Sequence, residues 1–443
     1  MWRGALANGA ARLMAVALTA VQVAFLTRQL NLNEYGLVVS LSFLGISGLV
    51  GAAIGTRIGN AFVREPGAGP DDNRILWLSA LQVTTIAAAG VVFAIVCAWP
   101  FVPWRLVLNT GDPALIAAAS RGLLIGVSCQ AAAVPLGLAA FGFRAYQETE
   151  AIAAQTAATA VLTLALAWAG AAMLHSLAIV IAAPFLAFAL TSAAASAVWI
   201  ARRRWHLEWL PIAEAWRHAS GHVRGAIQFA ALGGLAGLVT SSVTYFVSLT
   251  QGFGHAALAD FYLKLLAVVL LAHSEMMHPL WPAYAERRPR GETVWTRRAI
   301  GISIAGGAAL VAVATGLIGT GGAGVIKWLT ALDAPVSGRL LIALAAYGIA
   351  YAVAQALATY LTATGQIMPQ LRVWGTGAIV LAVASIQAGR VWGPAGGVAG
   401  AAAGLGVVAA GLAVLVARDL RPRVGAIDQR VDSRTHSSPD EGS

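Results

Sequence analysis

Residues 258–282 read LADFYLKLLAVVLLAHSEMMHPLWP. The stretch is long enough to cross a bilayer, whose hydrocarbon core takes about twenty apolar residues, yet it carries Asp260, Lys264, His273, Glu275 and His278. Ionisable groups are costly in hydrocarbon, so inside a membrane helix they tend to face a water-filled cavity or a partner and mark a transport path. An apolar span broken by charge is the first candidate for the functional element.

The rest of the chain is of the same kind. Of its residues 58% are hydrophobic and 11% charged, with a mean hydropathy of +0.74; a soluble protein needs far more polar surface. Apolar windows of about twenty residues fall near 7–27, 36–58, 75–98, 120–142, 150–171, 176–199, 226–249, 257–281, 299–319, 339–361, 371–389 and 394–417. These runs far exceed a barrel strand, and backbone facing lipid must satisfy its own hydrogen bonds, so they are helices. The expected fold is an all-α polytopic membrane protein of about twelve spans, in two six-helix bundles around a central cavity.

Cytoplasmic loops accumulate Lys and Arg. In an even-span arrangement, one set of loops and tails holds 22 basic residues, among them Arg202, Arg203, Arg204, Arg287, Arg288 and Arg290. The opposite set holds 6: Arg28, Arg105, Arg121, Lys327, Arg339 and Arg390. That split places both termini in the cytoplasm and accounts for the net charge of +10 without a nucleic-acid partner. The apolar run after Arg3 is interrupted by Asn8 and Arg12, so the first helix is expected to be its own uncleaved signal. Cys97 and Cys129 both fall inside expected helices, which argues against a redox framework or a zinc site.

The longest polar interruption, 202–224, is RRRWHLEWLPIAEAWRHASGHVR. It divides the chain into expected bundles 1–201 and 225–417, with a disordered cytoplasmic tail at 418–443. Trp205, Trp209, Ile212 and Trp216 recur at helical spacing, as in a helix lying in the cytoplasmic interface; a plain positive-inside connector reads the same way. LNLNEYGLVVSL, entering the second span, resembles GHAALADFYLKLL, entering the eighth, with Tyr35 opposite Phe261 or Tyr262. Internal repeats of this sort place a transporter's site at the repeat interface.

Three segments carry a family resemblance. LTRQLNLNEYGLVVSL, 26–41, resembles the first external turn of the oligosaccharide flippases, and ALADFYLKLL, 257–266, resembles the matching turn of their second half. HPLWPAYAERRPRGETVWTRRAI, 278–300, resembles their exit from the eighth helix, where Leu-Trp-Pro-Ala-Tyr and an acidic residue precede a basic loop. The chain is thus similar to the Wzx-type flippases of the multidrug, oligosaccharidyl-lipid and polysaccharide export superfamily. The resemblance implies movement of an undecaprenyl-pyrophosphate-linked oligosaccharide between leaflets of a bacterial plasma (inner) membrane, for O-antigen or exopolysaccharide assembly. It brings no catalytic signature and no cofactor. The implied partners are the lipid-linked oligosaccharide, membrane lipid and other polysaccharide assembly proteins.

Site residues follow from the chemistry of such a cargo. A pyrophosphate needs a cation to offset its desolvation, and Lys264 is the foremost one, with Asp260 four residues earlier and within reach for an ion pair; a lysine snorkelling to the interface is the plainer alternative. Arg28 and Arg57, near expected helix ends, are further cations. Tyr347, Tyr351, Gln355 and Thr359 recur every four residues, a face of aromatic and amide groups suited to sugar rings. Polar stripes also run along Asn8, Arg12, Thr19 and Gln22, and along Thr240, Thr244, Ser248 and Gln251; polar groups that merely join membrane helices give the same pattern. Glu275, without an evident basic partner one turn away, is a candidate for ion coupling alongside Asp260. Glu275 and His278 make only a two-ligand fragment, so no metal is expected.

Two other functions compete. A multidrug or organic-cation exporter of the same architecture would use anionic sites. A membrane glycan polymerase or ligase usually presents a large external loop, whereas the longest here, near 99–119 and 320–338, hold few acids or bases. No P-loop is present, which argues against an ATP-driven pump.

Overall fold

The computed structural model describes residues 2–42, 70–146, 148–277 and 279–421. Among them every regular element is helical. Numbered in chain order, they begin α1 (Trp2–Gln29), α2 (Leu32–Leu41), α3 (Pro70–Ala98), α4 (Trp104–Leu108), α5 (Pro113–Leu136), α6 (Leu138–Ala145), α7 (Thr149–Trp168) and α8 (Leu177–Arg203). There follow α9 (Ile212–Ser241), α10 (Val243–Gln251), α11 (Phe253–Met277), α12 (Leu280–Arg287), α13 (Thr293–Leu317), α14 (Ala323–Thr330), α15 (Gly338–Ala363), α16 (Ile367–Trp392) and α17 (Pro394–Asp419). Ten helical segments are long and apolar enough to cross a membrane, and an eleventh is the pair Ile212–Val223 and Gly225–Ser241, bent by 54°. The protein is an all-α, multi-pass membrane protein. Most of the expected second span lies outside the described residues, as do Arg57, His278 and 422–443.

Helix ends follow local chemistry. Asn31 and Glu34 form a reciprocal capping box that starts α2, so the Glu of the Glu-Tyr-Gly turn accepts from the Asn31 backbone N–H. Asp112 caps α5 ahead of Pro113, and Ser337 caps α15. Without a hydrophobic drive between helices in lipid, close approach comes from small residues. Gly396, Gly400 and Gly404 of α17 recur every four residues against Ala388, Ser385 and Leu381 of α16; a methyl at Gly396 would stand 2.0 Å from the Ala388 carbonyl oxygen.

Two expectations about the middle of the chain need correction. The seventh span is broken: α9 ends at Ser241 and α10 restarts at Val243. Its polar stripe is used in packing. Thr244 donates to the Val39 carbonyl (3.2 Å) and Gln251 to that of Gly389 (2.9 Å). In the connector, Trp205 and Trp209 precede the helix that begins at Ile212, because Pro211 occupies its start. Trp205 turns inward onto Trp77 and Trp199, both at 5.7 Å, while Trp209, Ile212 and Trp216 stay exposed.

If the arginine split sets the orientation, tags placed after Arg204, after Arg290 and at Ser443 will report the cytoplasm, and tags near Gly111 or Asp333 the outside. A cytoplasmic signal at Asp333 would sink the even-span topology.

Candidate functional site

The ionisable segment forms α11, and its charges reach α1 and α2 rather than lipid. Near its start α11 runs against α2 so tightly that Gly36 leaves no room for a side chain: a Cβ there would lie 1.8 Å from the Phe253 carbonyl oxygen. The approach brings the two repeat-like motifs face to face, with Tyr35 stacked on Phe261 at 5.3 Å between centroids and 25° between planes. Tyr35 donates its hydroxyl hydrogen to Asp260 Oδ2 at 2.9 Å, within a pocket where both residues are buried. Lys264 forms an ion pair with the same carboxylate oxygen and donates to the Tyr35 hydroxyl at 3.0 Å. Its ammonium also stands 5.4 Å from the Tyr35 ring centroid.

Asp260 thus neutralises Lys264 and orders Tyr35, and Lys264 keeps about a third of its side chain accessible (35%) where Asp260 keeps 10%. A cation whose carboxylate partner is buried while part of its own side chain stays accessible can exchange that partner for an anionic ligand. The i, i+4 pair was legible in the sequence; Tyr35 as its third member was not, though the repeat similarity puts Tyr35 opposite Phe261 or Tyr262.

Toward the other end of α11, Glu275 forms an ion pair with Arg12 of α1. The expectation of no evident basic partner reached only one turn along the same helix. The partner comes from a different helix, which a search one turn along the same helix cannot find. Beside it, His273 is buried and its Nε2 stands 3.1 Å from the Ser303 carbonyl oxygen. A carbonyl only accepts, so Nε2 carries the hydrogen.

Of the other candidates, Arg28 is exposed in the last turn of α1. Tyr347 is buried and donates to the Thr240 carbonyl at 2.7 Å, next to the break between α9 and α10. Tyr351 and Gln355 follow on the same face, half-buried; their side chains make no hydrogen bond among the described residues. Among the described residues no group of His, Cys, Asp and Glu could hold a metal ion.

The Leu-Trp-Pro-Ala-Tyr exit becomes α12, and it serves as a clamp. Tyr284 is buried edge-on to Tyr360 (5.4 Å) and Trp295 (5.8 Å). Tyr360 donates to Asp419 Oδ2 at 2.6 Å, and Arg288 bridges Asp419 Oδ1 (2.7 Å) and the Thr364 carbonyl (2.9 Å). One carboxylate at the end of α17 thereby ties α12 to α15. Asp419→Ala leaves a tyrosine hydroxyl and a guanidinium without their acceptor, and thermal unfolding of the purified protein should show a loss of about 2–3 kcal/mol.

No protein-family model and no curated protein sequence matches the chain. Solved structures match it by shape. A mutant of the Vibrio cholerae MATE transporter VcmN superposes with a TM-score of 0.66 at 16% identity, covering 95% of this chain and 96% of that one. The lipid II flippase MurJ, in an inward closed conformation, gives a TM-score of 0.68 at 11% identity over 93% and 88%. A MOP superfamily transporter of Pyrococcus furiosus, whose structure is described as having a binding pocket of reverse polarity, gives 0.59 at 13% identity over 92% and 95%. The chain has the fold of these transporters over nearly its whole length.

Proposed function

We propose that the protein is a flippase carrying a polyprenyl-pyrophosphate-linked oligosaccharide across a bacterial plasma membrane by alternating access, in the service of O-antigen or exopolysaccharide assembly. Two helical halves, 1–201 and 225–417, move around the site, with 202–224 as their connector; α17 carries the second half on to Asp419, two residues into the stretch expected to be tail. Both termini are cytoplasmic.

The observation that carries the reading is the Tyr35, Asp260 and Lys264 cluster, where a cation held inside a membrane helix joins the first third of the chain to α11. An arriving pyrophosphate takes the ammonium from Asp260, and the carboxylate keeps its hydrogen bond from Tyr35. The cost of desolvating the anion is met by a charge already in place. Tyr351 and Gln355 supply a ring face and an amide for the sugars, the polyprenyl tail remaining in lipid. In this scheme the protein acts as a secondary transporter and makes or breaks no covalent bond in its cargo.

A second reading, an ion-coupled exporter of organic cations, draws on the same carboxylate: with Lys264 displaced, Asp260 is a buried anion of the kind a cationic drug needs. Proteoliposomes decide between the two. Reconstituted protein should move a fluorescent lipid-linked oligosaccharide between leaflets and leave ethidium untouched; ethidium transport without oligosaccharide translocation would replace the flippase with the exporter.

For coupling, Glu275→Gln is expected to remove the response of translocation to an imposed pH gradient, since the amide neither binds nor releases a proton and no longer pairs with Arg12. Unchanged gradient dependence would leave Glu275 with the role of joining α1 to α11.

A further inference from the structure

A cavity of about 720 Å³ opens between α11, the segment leading into α15, and the start of α17. That is the size of a small-molecule site, roughly 300–1,000 Å³, and far more than a packing defect. Its α11 wall is Leu258, Ala259 and Tyr262. At 100° per residue these side chains point roughly opposite to Asp260 and Lys264, so the cavity is separate from the site described above.

Three features define what it takes. Leu340, Ala395, Leu258 and Ala259 make much of the lining apolar. Arg339 borders the cavity with an exposed side chain that no acidic residue pairs with among the described residues. Trp392, 56% exposed, stands at the rim, as amphipathic tryptophans do at the membrane–water boundary. The cavity sits at the end of the bundle that the arginine distribution assigns to the outside, and the first turns of α15 and α17 border it with their partly positive termini.

We propose that this cavity is a binding site for an anionic phospholipid of the outer leaflet, its phosphate on Arg339 and the first carbons of its acyl chains against Leu258, Leu340 and Ala395. A soluble anion has no use for the apolar wall, and a neutral lipid has none for the unpaired guanidinium. The site is peripheral to the transport path and does not depend on what the protein carries.

The test is native mass spectrometry of the purified full-length protein titrated with phosphatidylglycerol, phosphatidylcholine or inorganic phosphate. Phosphatidylglycerol should bind the wild type more tightly than the other two. Arg339→Gln should weaken it roughly fivefold, the contribution of one basic residue to an anionic lipid surface, Arg339→Lys should retain most of it, and Leu258→Trp should weaken it by intruding on the apolar wall where the acyl chains lie. Equal binding of phosphatidylcholine, binding of inorganic phosphate as tight as that of the lipid, or unchanged phosphatidylglycerol binding in either Arg339→Gln or Leu258→Trp would overturn the assignment.

Discussion

Gly36→Ala is expected to prevent α2 from closing on α11. The added methyl would lie 1.8 Å from the Phe253 carbonyl oxygen and 2.4 Å from its carbon, and both are backbone atoms within a helix end that cannot rotate away. Overpacking of this kind costs about 3 kcal/mol or more, which shifts the closed-to-open ratio by about a hundredfold. Gly254→Ala is the control in the translocation assay, with Asn33 native, because its methyl would meet a flexible group, the Asn33 side-chain oxygen, at 3.2 Å. The readout is disulfide formation between cysteines placed at Asn33 and Gly254, in a background with Cys97 and Cys129 replaced. The pair should cross-link readily with Gly36 in place and poorly in Gly36→Ala, and translocation should fall in parallel. Equal cross-linking in both would mean that the α2–α11 contact yields at little cost.

The second large effect belongs to Lys264, and it has two parts that a single substitution confounds. Lys264→Ala leaves the buried Asp260 carboxyl without its cation, an error worth about 3–5 kcal/mol, so lost activity in that variant says little about substrate. Lys264→Ala with Asp260→Asn removes both charges together, and Tyr35 keeps an acceptor in the amide oxygen. Thermal stability should return to near the wild-type value while oligosaccharide translocation stays low. Lys264→Arg should retain more transport than Lys264→Gln, since a guanidinium binds phosphate well. Recovery of transport along with stability in the double variant would make Lys264 a structural partner of Asp260 and end its role with the cargo.

Much of the architecture was legible before any coordinates. Ten of the observed spans coincide with apolar windows because one requirement, an unbroken run of lipid-compatible side chains, acts locally on each segment. The Lys264 and Asp260 pair was legible for a similar reason: four residues bring two side chains together on any helix. The broken seventh span was not, since Ser242 lies in a run apolar enough to continue and the break serves a contact with Val39 made elsewhere in the chain. The inward turn of Trp205 was hidden too, because a tryptophan at helical spacing reads the same whether it lies in the interface or packs on Trp77 and Trp199.

The residue pattern alone sufficed for the class of molecule, its all-α spans and the charges that had to be hidden in them, because hydrocarbon penalises each polar group wherever the chain places it. It left open which group hides which. Tyr35 meets Asp260 from 225 residues away, and Arg12 meets Glu275 across two helices. Such pairings depend on which helix faces approach each other, and for Tyr35 and Asp260 that approach is permitted by the missing side chain of Gly36. The packed helices fix these partners, since contact distance between helices is set by shape complementarity summed over whole faces, and no local rule of spacing contains it.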